Sequence, residues 1–255
     1  MAAERRPTVY ARRFSLLYAL LGAAVAAAIV GLVVALAQGG GSGAKPADAW
    51  SSWQPTASGL GRAEQIARHV APEYKLADGS ELVGVITRHP EISANGQTLP
   101  LGYVGIKGTH GASDTIFTVS TPNTVMYSLC GLGPACSIAS GTPSIARGTL
   151  VRREILELAL YTFRYDNGVD NVIALMPPRN KKTQPVVVFL RRSDLASELA
   201  VPLNRTLAAK TPGVKTMTPS DVQVVQTTTG THAYVSTVTR AQDGNLILVL
   251  THIHA

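Results

Sequence analysis

The sequence predicts an α+β domain, with a mixed and largely antiparallel sheet and about three helices, behind one N-terminal transmembrane helix. Residues 14–37 are 24 consecutive residues without a charge, which is enough to cross a bilayer as a helix. Further along, β-branched segments lie toward both ends of the remaining chain, with helical patterns between them. That element order is typical of an α+β fold.

Composition excludes several classes of protein. Of 255 residues 45% are hydrophobic and 15% are charged, which is too apolar for a disordered chain and too mixed for a polytopic transporter. Two cysteines exclude a disulfide-dense miniprotein and, with six histidines, argue against a zinc-cluster scaffold. The net charge of +7 comes without a basic arm that carries interleaved aromatic residues, so no nucleic-acid binding is predicted.

The flanks of the apolar run predict its orientation. Four arginines and one glutamate precede it, whereas the next twenty residues hold one lysine and one aspartate. This asymmetry indicates a cytoplasmic N-terminus and an exported C-terminal part. The chain therefore divides into a cytoplasmic stub at 1–13, a signal anchor at 14–37, a flexible linker at 38–57 and an extracytoplasmic domain at 58–255.

Cleavage of the apolar run is the alternative to an anchor. Residues 35–37, Ala-Leu-Ala, match a signal-peptidase site. The run is about twice as long as the apolar region of a signal peptide, which favours an uncleaved helix in the lipid bilayer. Both interpretations export the same domain.

Small residues on the predicted span suggest a homodimer. They form two pairs four residues apart, and small residues let helices approach closely in a bilayer. The pairs are Gly22 with Ala26 and Ala27 with Gly31. Beyond the span, Trp50 and Trp53 either rest at the headgroup layer or pack on the domain, and packing is favoured.

Periodicity places the regular elements of the outer domain. Helices are predicted at 61–70, 150–165 and 193–210, with Ser193 as the N-cap of the last and Pro202 expected to kink or divide it. Nine strands are predicted from β-branched runs. They are residues 81–87, 103–106, 115–120, 124–129, 172–176, 186–190, 222–228, 233–240 and 246–254. The last three are expected to form an antiparallel meander.

The two cysteines predict a structural disulfide. Cys130 and Cys136 enclose Gly-Leu-Gly-Pro-Ala, and on the exported side such a pair is expected to be oxidised. In the chain-entropy model a loop this short contributes about 2 kcal/mol. Free thiols and a redox or metal pair are the alternatives, and the spacing differs from the C-x-x-C of redox motifs.

Three histidines form a candidate metal site. His252 and His254 are two residues apart in a predicted strand and so share a face, and His232 begins the neighbouring strand. Imidazoles in such a set suit zinc or copper. No acidic partner for them is apparent in the sequence, so we expect solvated or hydrogen-bonded histidines and no bound metal or other cofactor.

Two polar loops complete the candidate functional residues. His110, Ser113 and Asp114 stand in one short loop, whereas the members of a catalytic triad come from separate segments, so a polar turn is expected there. A second loop is basic, with neighbouring arginines that extend it. Its residues are Arg179, Lys181 and Lys182, with Arg191 and Arg192. Such a loop suits anionic headgroups or envelope polymers, although a solvated loop is favoured.

These observations favour binding over catalysis. The expected protein is a single-pass membrane protein whose extracytoplasmic domain meets an envelope or cell-surface protein partner. The alternative is a membrane-tethered hydrolase with dispersed catalytic residues, which leave no local motif. No catalytic motif occurs in its required structural context.

Overall fold

The computed structural model describes residues 49–94, 97–108, 116–178 and 185–253. They belong to one compact unit, Ala49–Ala255, which is an α+β fold with a mixed sheet, as predicted. The unit begins at Ala49, and Trp50 is 8% exposed within its core. The last residues of the predicted linker, from 49 to 57, are therefore part of the folded domain.

The predicted membrane segment lies outside the described residues, as do the stub and the small-residue pairs of the span. Within the part of the chain that the structure describes, no helix combines the length and the apolar character that a bilayer crossing requires.

Nine strands form the sheet in the described ranges. They are β1 (Gly84–Arg88), β2 (Glu91–Ala94), β3 (Gln97–Lys107), β4 (Ile116–Ser120), β5 (Thr124–Cys130), β6 (Asn171–Leu175), β7 (Val186–Arg191), β8 (Ala233–Arg240) and β9 (Leu246–His252). Their order is β1-β5-β6-β7-β8-β9-β3-β2, with β4 also paired to β3. The pairs β5–β6 and β3–β9 are parallel, and the other neighbouring strands run antiparallel. Among the described strands the sheet is thus mixed and largely antiparallel.

Five α-helices accompany the sheet in the described residues. They are α1 (Gly59–Val70), α2 (Ile145–Tyr165), α3 (Ala196–Leu199), α4 (Leu203–Thr206) and α5 (Pro219–Gly230). The longest, α2, lies between β5 and β6 in the chain, because parallel neighbours need a long crossover rather than a hairpin. It begins five residues before the predicted start, since the Ser144 side chain accepts the N–H of Arg147 as an N-cap.

The two faces of the sheet belong to different hydrophobic clusters. On the helix side, Tyr127 of β5 packs in one cluster with Ile155 of α2 and Val225 of α5. The neighbouring Met126 points the other way, because successive strand residues face opposite sides. Met126 shares its cluster with Leu248 of β9. The sheet is therefore curved, so that β9 packs against the same face of the central strands.

The prediction of one continuous helix at 193–210 is wrong. Pro202 divides it, as the sequence allowed, and two one-turn helices, α3 and α4, flank the proline. Ser193 is not an N-cap: it lies inside a short 3-10 turn, Arg192–Leu195. The Asp194 carboxylate closes that turn by accepting the N–H of Arg191 at 2.9 Å.

The predicted strand at 222–228 is also wrong, because these residues belong to helix α5. The helix begins where the Thr218 hydroxyl accepts the N–H of Asp221 at 3.1 Å, and Pro219 supplies a favourable first residue. The valines and threonines that suggested a strand are tolerated because Val225 and Thr228 are buried within the helix layer, meaning the helices that cover one face of the sheet. The predicted meander therefore reduces to the hairpin of β8 and β9.

The predicted disulfide between Cys130 and Cys136 is confirmed. It closes a tight loop after β5, in which Ala135 and Cys136 both have positive φ, at 52° and 61°. The N–H of Gly131 donates to the carbonyl of Cys136 at 2.9 Å. A Cβ on Gly131 would collide with the backbone of Ser137, so this loop needs glycine at that position.

A buried arginine joins the helices that cover the sheet. Arg153 of α2 is 1% exposed and donates to Asp221 of α5 at 3.3 Å, to the Tyr74 hydroxyl at 2.6 Å and to the carbonyl of Ala208 at 2.9 Å. The Tyr74 hydroxyl in turn donates to Glu157 of α2 at 2.6 Å. Three segments distant in sequence therefore meet α2 at one guanidinium group.

Replacement of Thr218 with alanine should destabilise the domain by about 1 kcal/mol, because it removes the N-cap of α5. Ser193→Ala is the matched control and should change stability much less, since Ser193 caps no helix. Urea unfolding of both variants measures the difference. Equal effects of the two substitutions would contradict the assignment of α5.

Candidate ligand-binding site

A cleft of about 380 Å³ opens on the surface beside α1. The cleft is shallow and open to solvent, so a ligand would remain partly exposed in it. Aromatic, amide, hydroxyl and cationic side chains line it. These residues are Trp53, Gln54, Thr56, Gln65, Arg68 and His69. The cleft thus combines one apolar wall with several hydrogen-bonding groups.

Aromatic packing forms the apolar wall. The Trp53 indole stacks on the His69 imidazole, with 4.0 Å between ring centroids and 13° between planes. Tyr161 of α2 meets the indole edge-on at 5.5 Å. Beneath them, Trp50 packs edge-on against both Tyr161 and Tyr165. Packing on the domain is therefore what the structure shows for both tryptophans, and α1 and α2 together support the wall.

Hydrogen bonds fix the loop that carries Trp53. The Gln65 side-chain oxygen accepts the N–H groups of Thr56 and Ala57, both at 2.9 Å. The hydroxyls of Ser51 and Tyr165 donate to the carbonyl of Trp53, the latter at 3.2 Å. A site whose backbone is held in this way loses little conformational entropy when a ligand binds.

One arginine supplies the charge of the described cleft lining. Arg68 is exposed and is the one side chain with a formal charge among the described lining residues. Burial lowers the pKa of His69 below its usual value, and the nearby Glu73 opposes that shift only in part. The imidazole is accordingly neutral at pH 7 and can both donate and accept a hydrogen bond.

A second cleft, of about 520 Å³, lies where β7 leads into α3. Its arginines are engaged within the protein. Arg191 pairs with Asp194 at 3.3 Å. Arg192 donates to three carbonyls near the end of α2, those of Phe163, Asp166 and Val169. Both guanidinium groups that the sequence offered as an extension of the basic loop therefore make local contacts. Arg179, Lys181 and Lys182 lie outside the described residues.

The histidines of the candidate metal site are partly described. His232 lies 3.8 Å from the Asp194 carboxylate, and burial lowers the pKa of its imidazole although Asp194 opposes the shift. His252 packs its ring at 4.5 Å from that of Tyr234. Within the described ranges no group of three or more His, Cys, Asp or Glu side chains is placed to hold a metal ion. His254 lies outside them, as do His110, Ser113 and Asp114.

The buried acid Glu154 is the most unusual ionisable group of the helix layer. It is fully buried on α2, and neither carboxyl oxygen has a hydrogen-bond partner among the described residues. Burial raises its pKa well above the usual value, and the charges of Glu157 and Glu81 raise it further. Glu154 lines neither of the two clefts, so it is not placed to meet a ligand there.

Comparison with known proteins adds no assignment. No protein-family model matches the chain, and no curated protein or solved structure shows significant similarity to it. A function is therefore proposed from the geometry of the cleft.

Sequence reasoning identified the two tryptophans but not the cleft. Gln65, Arg68 and His69 belong to the predicted helix at 61–70, where their pattern is that of solvent-facing polar residues. The available signal was the placement of Trp53 shortly before a helix that carries a histidine on its outer side. Only the fold shows that these residues converge.

The stability of Glu154→Gln relative to the parent chain should rise as the pH increases above about 4.5. The raised pKa means that folded protein keeps a proton which unfolded chain releases above about pH 4.5. The contribution of Glu154 to the free energy of unfolding is largest below that pH. It falls by about 1.4 kcal/mol per pH unit as the pH rises toward the pKa of the folded state. Glutamine has no proton to lose, so the advantage of the variant should grow from pH 4.5 upward.

Chemical unfolding at pH 4.5, 6 and 7.5 measures this pH dependence. Glu64→Gln is the control, because Glu64 is exposed on α1. A stability difference between Glu154→Gln and the parent chain that stays constant across the three pH values would show that Glu154 is ionised in the folded protein.

Proposed function

We propose that this protein is a single-pass membrane protein whose extracytoplasmic α+β domain acts by binding a component of the cell envelope. The observation that carries the proposal is the Trp53 cleft. It is preformed, partly aromatic and open at the surface, and hydrogen bonds hold its loop in place. Such a cleft suits recognition of a ligand without further rearrangement.

The charge pattern of the sequence is the main support for this location, and the disulfide is compatible with it. The uncharged run at 14–37 and the arginines before it favour an N-terminus inside and a domain outside. The Cys130–Cys136 disulfide is the state expected in an oxidising compartment.

The position of the cleft in the chain suits a ligand near the membrane. The folded domain begins at Ala49, so eleven residues, 38–48, separate it from the proposed span, and a chain of that length reaches roughly 40 Å when fully extended. The glycine-rich sequence at 38–45 is typical of a flexible tether. The domain would accordingly sample envelope components within that distance.

Variants with one added cysteine on live cells test location and binding together, because the native Cys130 and Cys136 are joined in a disulfide and do not react with a maleimide. Ala3→Cys, Gln54→Cys and Gln226→Cys are treated with a membrane-impermeant maleimide that carries a photo-cross-linker. Gln54 lines the cleft, whereas Gln226 is exposed on α5. We expect labelling of residues 54 and 226 but not of residue 3. Illumination should then give an envelope adduct from position 54 and much less from position 226.

Two results would contradict the proposal. Labelling at residue 3 with protection of residues 54 and 226 would reverse the orientation. Equal cross-linking from positions 54 and 226 would mean that the cleft is no preferred binding surface.

A further inference from the structure

We propose that the Trp53 cleft binds an acidic saccharide, meaning a sugar ring that carries a carboxylate, as a unit of an envelope polymer. This inference rests on the proposed function, since it names the ligand class of the same cleft. Three features of the lining carry it: an aromatic wall, neutral polar groups and one cation.

The aromatic wall suits the apolar face of a sugar ring. A pyranose presents C–H groups on its faces and hydroxyls around its rim, so it packs flat against an indole. Trp53 is half-buried and lines the cleft, and its stacking on His69 keeps the ring in one orientation. A fixed aromatic surface of this kind contributes contact area at low entropic cost.

Neutral polar side chains surround the wall. Gln54 and Thr56 are exposed at the cleft, and the Gln65 amide nitrogen lies 3.3 Å from the Thr56 hydroxyl oxygen. Amides and hydroxyls both donate and accept hydrogen bonds, which matches the hydroxyls of a sugar. The neutral His69 imidazole has the same dual capacity.

Arg68 selects for a negative charge. Its side chain has no hydrogen bond or ion pair to another described residue, and no carboxylate stands among the described lining residues. A guanidinium group presents a planar pair of donors that fits a carboxylate in a bidentate geometry. An acidic sugar satisfies this group and the aromatic wall together, whereas a neutral sugar leaves Arg68 unused.

Tryptophan fluorescence of the purified full chain tests the inference. The chain has two tryptophans, and Trp50 is buried, so a ligand-dependent change reports on Trp53. The probes are a uronic-acid oligosaccharide, its carboxyl-reduced neutral counterpart and sodium acetate. We expect saturable binding of the acidic oligosaccharide and binding about tenfold weaker for the neutral one, because one charge-assisted hydrogen-bonded pair is lost.

Matched arginine variants locate the charge. Arg68→Gln should weaken binding of the acidic oligosaccharide about tenfold and leave the neutral one unchanged. Arg205→Gln, at an exposed position of α4 that lines neither cleft, should bind like the parent chain. Calorimetric titration of Trp53→Phe, which keeps an aromatic ring, separates loss of the fluorescence signal from loss of binding.

Other outcomes overturn the inference. Equal affinity for acidic and neutral oligosaccharides removes the role of Arg68, and saturation by acetate alone reduces the cleft to a simple anion site. Binding to vesicles of anionic lipid without binding to the oligosaccharide assigns the cleft to a membrane surface. Absence of saccharide binding together with cross-linking at position 54 would refute the ligand class while the proposed binding function stands.

Discussion

The helix layer of this domain depends on one buried cation. Arg153 is held by Asp221, Tyr74 and the carbonyl of Ala208, so a single guanidinium group fixes α5, the segment after α1 and the loop before α5 onto α2. Removing one partner of a buried, hydrogen-bonded charge costs about 3–5 kcal/mol, because the remaining charge has no water to replace it. The hydrogen bonds of Arg153 therefore specify how the helices pack, in addition to hydrophobic burial.

This arrangement also supports the cleft. Trp53 packs against Tyr161 of α2 and His69 of α1, so the aromatic wall exists only while those helices keep their relative position. Tyr74 lies just beyond α1 and bonds to both Arg153 and Glu157 of α2. The same contacts that complete the buried network thus hold the two helices that form the wall.

The fold was predictable where local patterns and tertiary packing agree. The α+β class, the disulfide, α1, α2 and the β8–β9 hairpin follow from periodicity and composition. Residues 222–228 were misassigned because valine and threonine favour strands, whereas the Thr218 cap and the burial of Val225 decide for a helix. The cleft could not be predicted, because the pattern of residues 61–70 marks Arg68 and His69 only as solvent-facing, and the fold alone stacks Trp53 on His69. No local signal marks Arg153 as buried either, since an arginine in a helix is normally exposed.

Hydrogen–deuterium exchange of the full chain carrying Arg153→Lys tests the central claim, that this guanidinium group organises the helix layer. A lysine keeps the charge but has its three donors on one compact, rotating ammonium group instead of the planar, rigid fork of the guanidinium group. We predict faster exchange in α5 and in residues 71–76, with protection of β5, β6 and β7 unchanged. Unchanged protection in both helix-layer segments, in a variant that is otherwise folded, would show that Arg153 is only one contact among many.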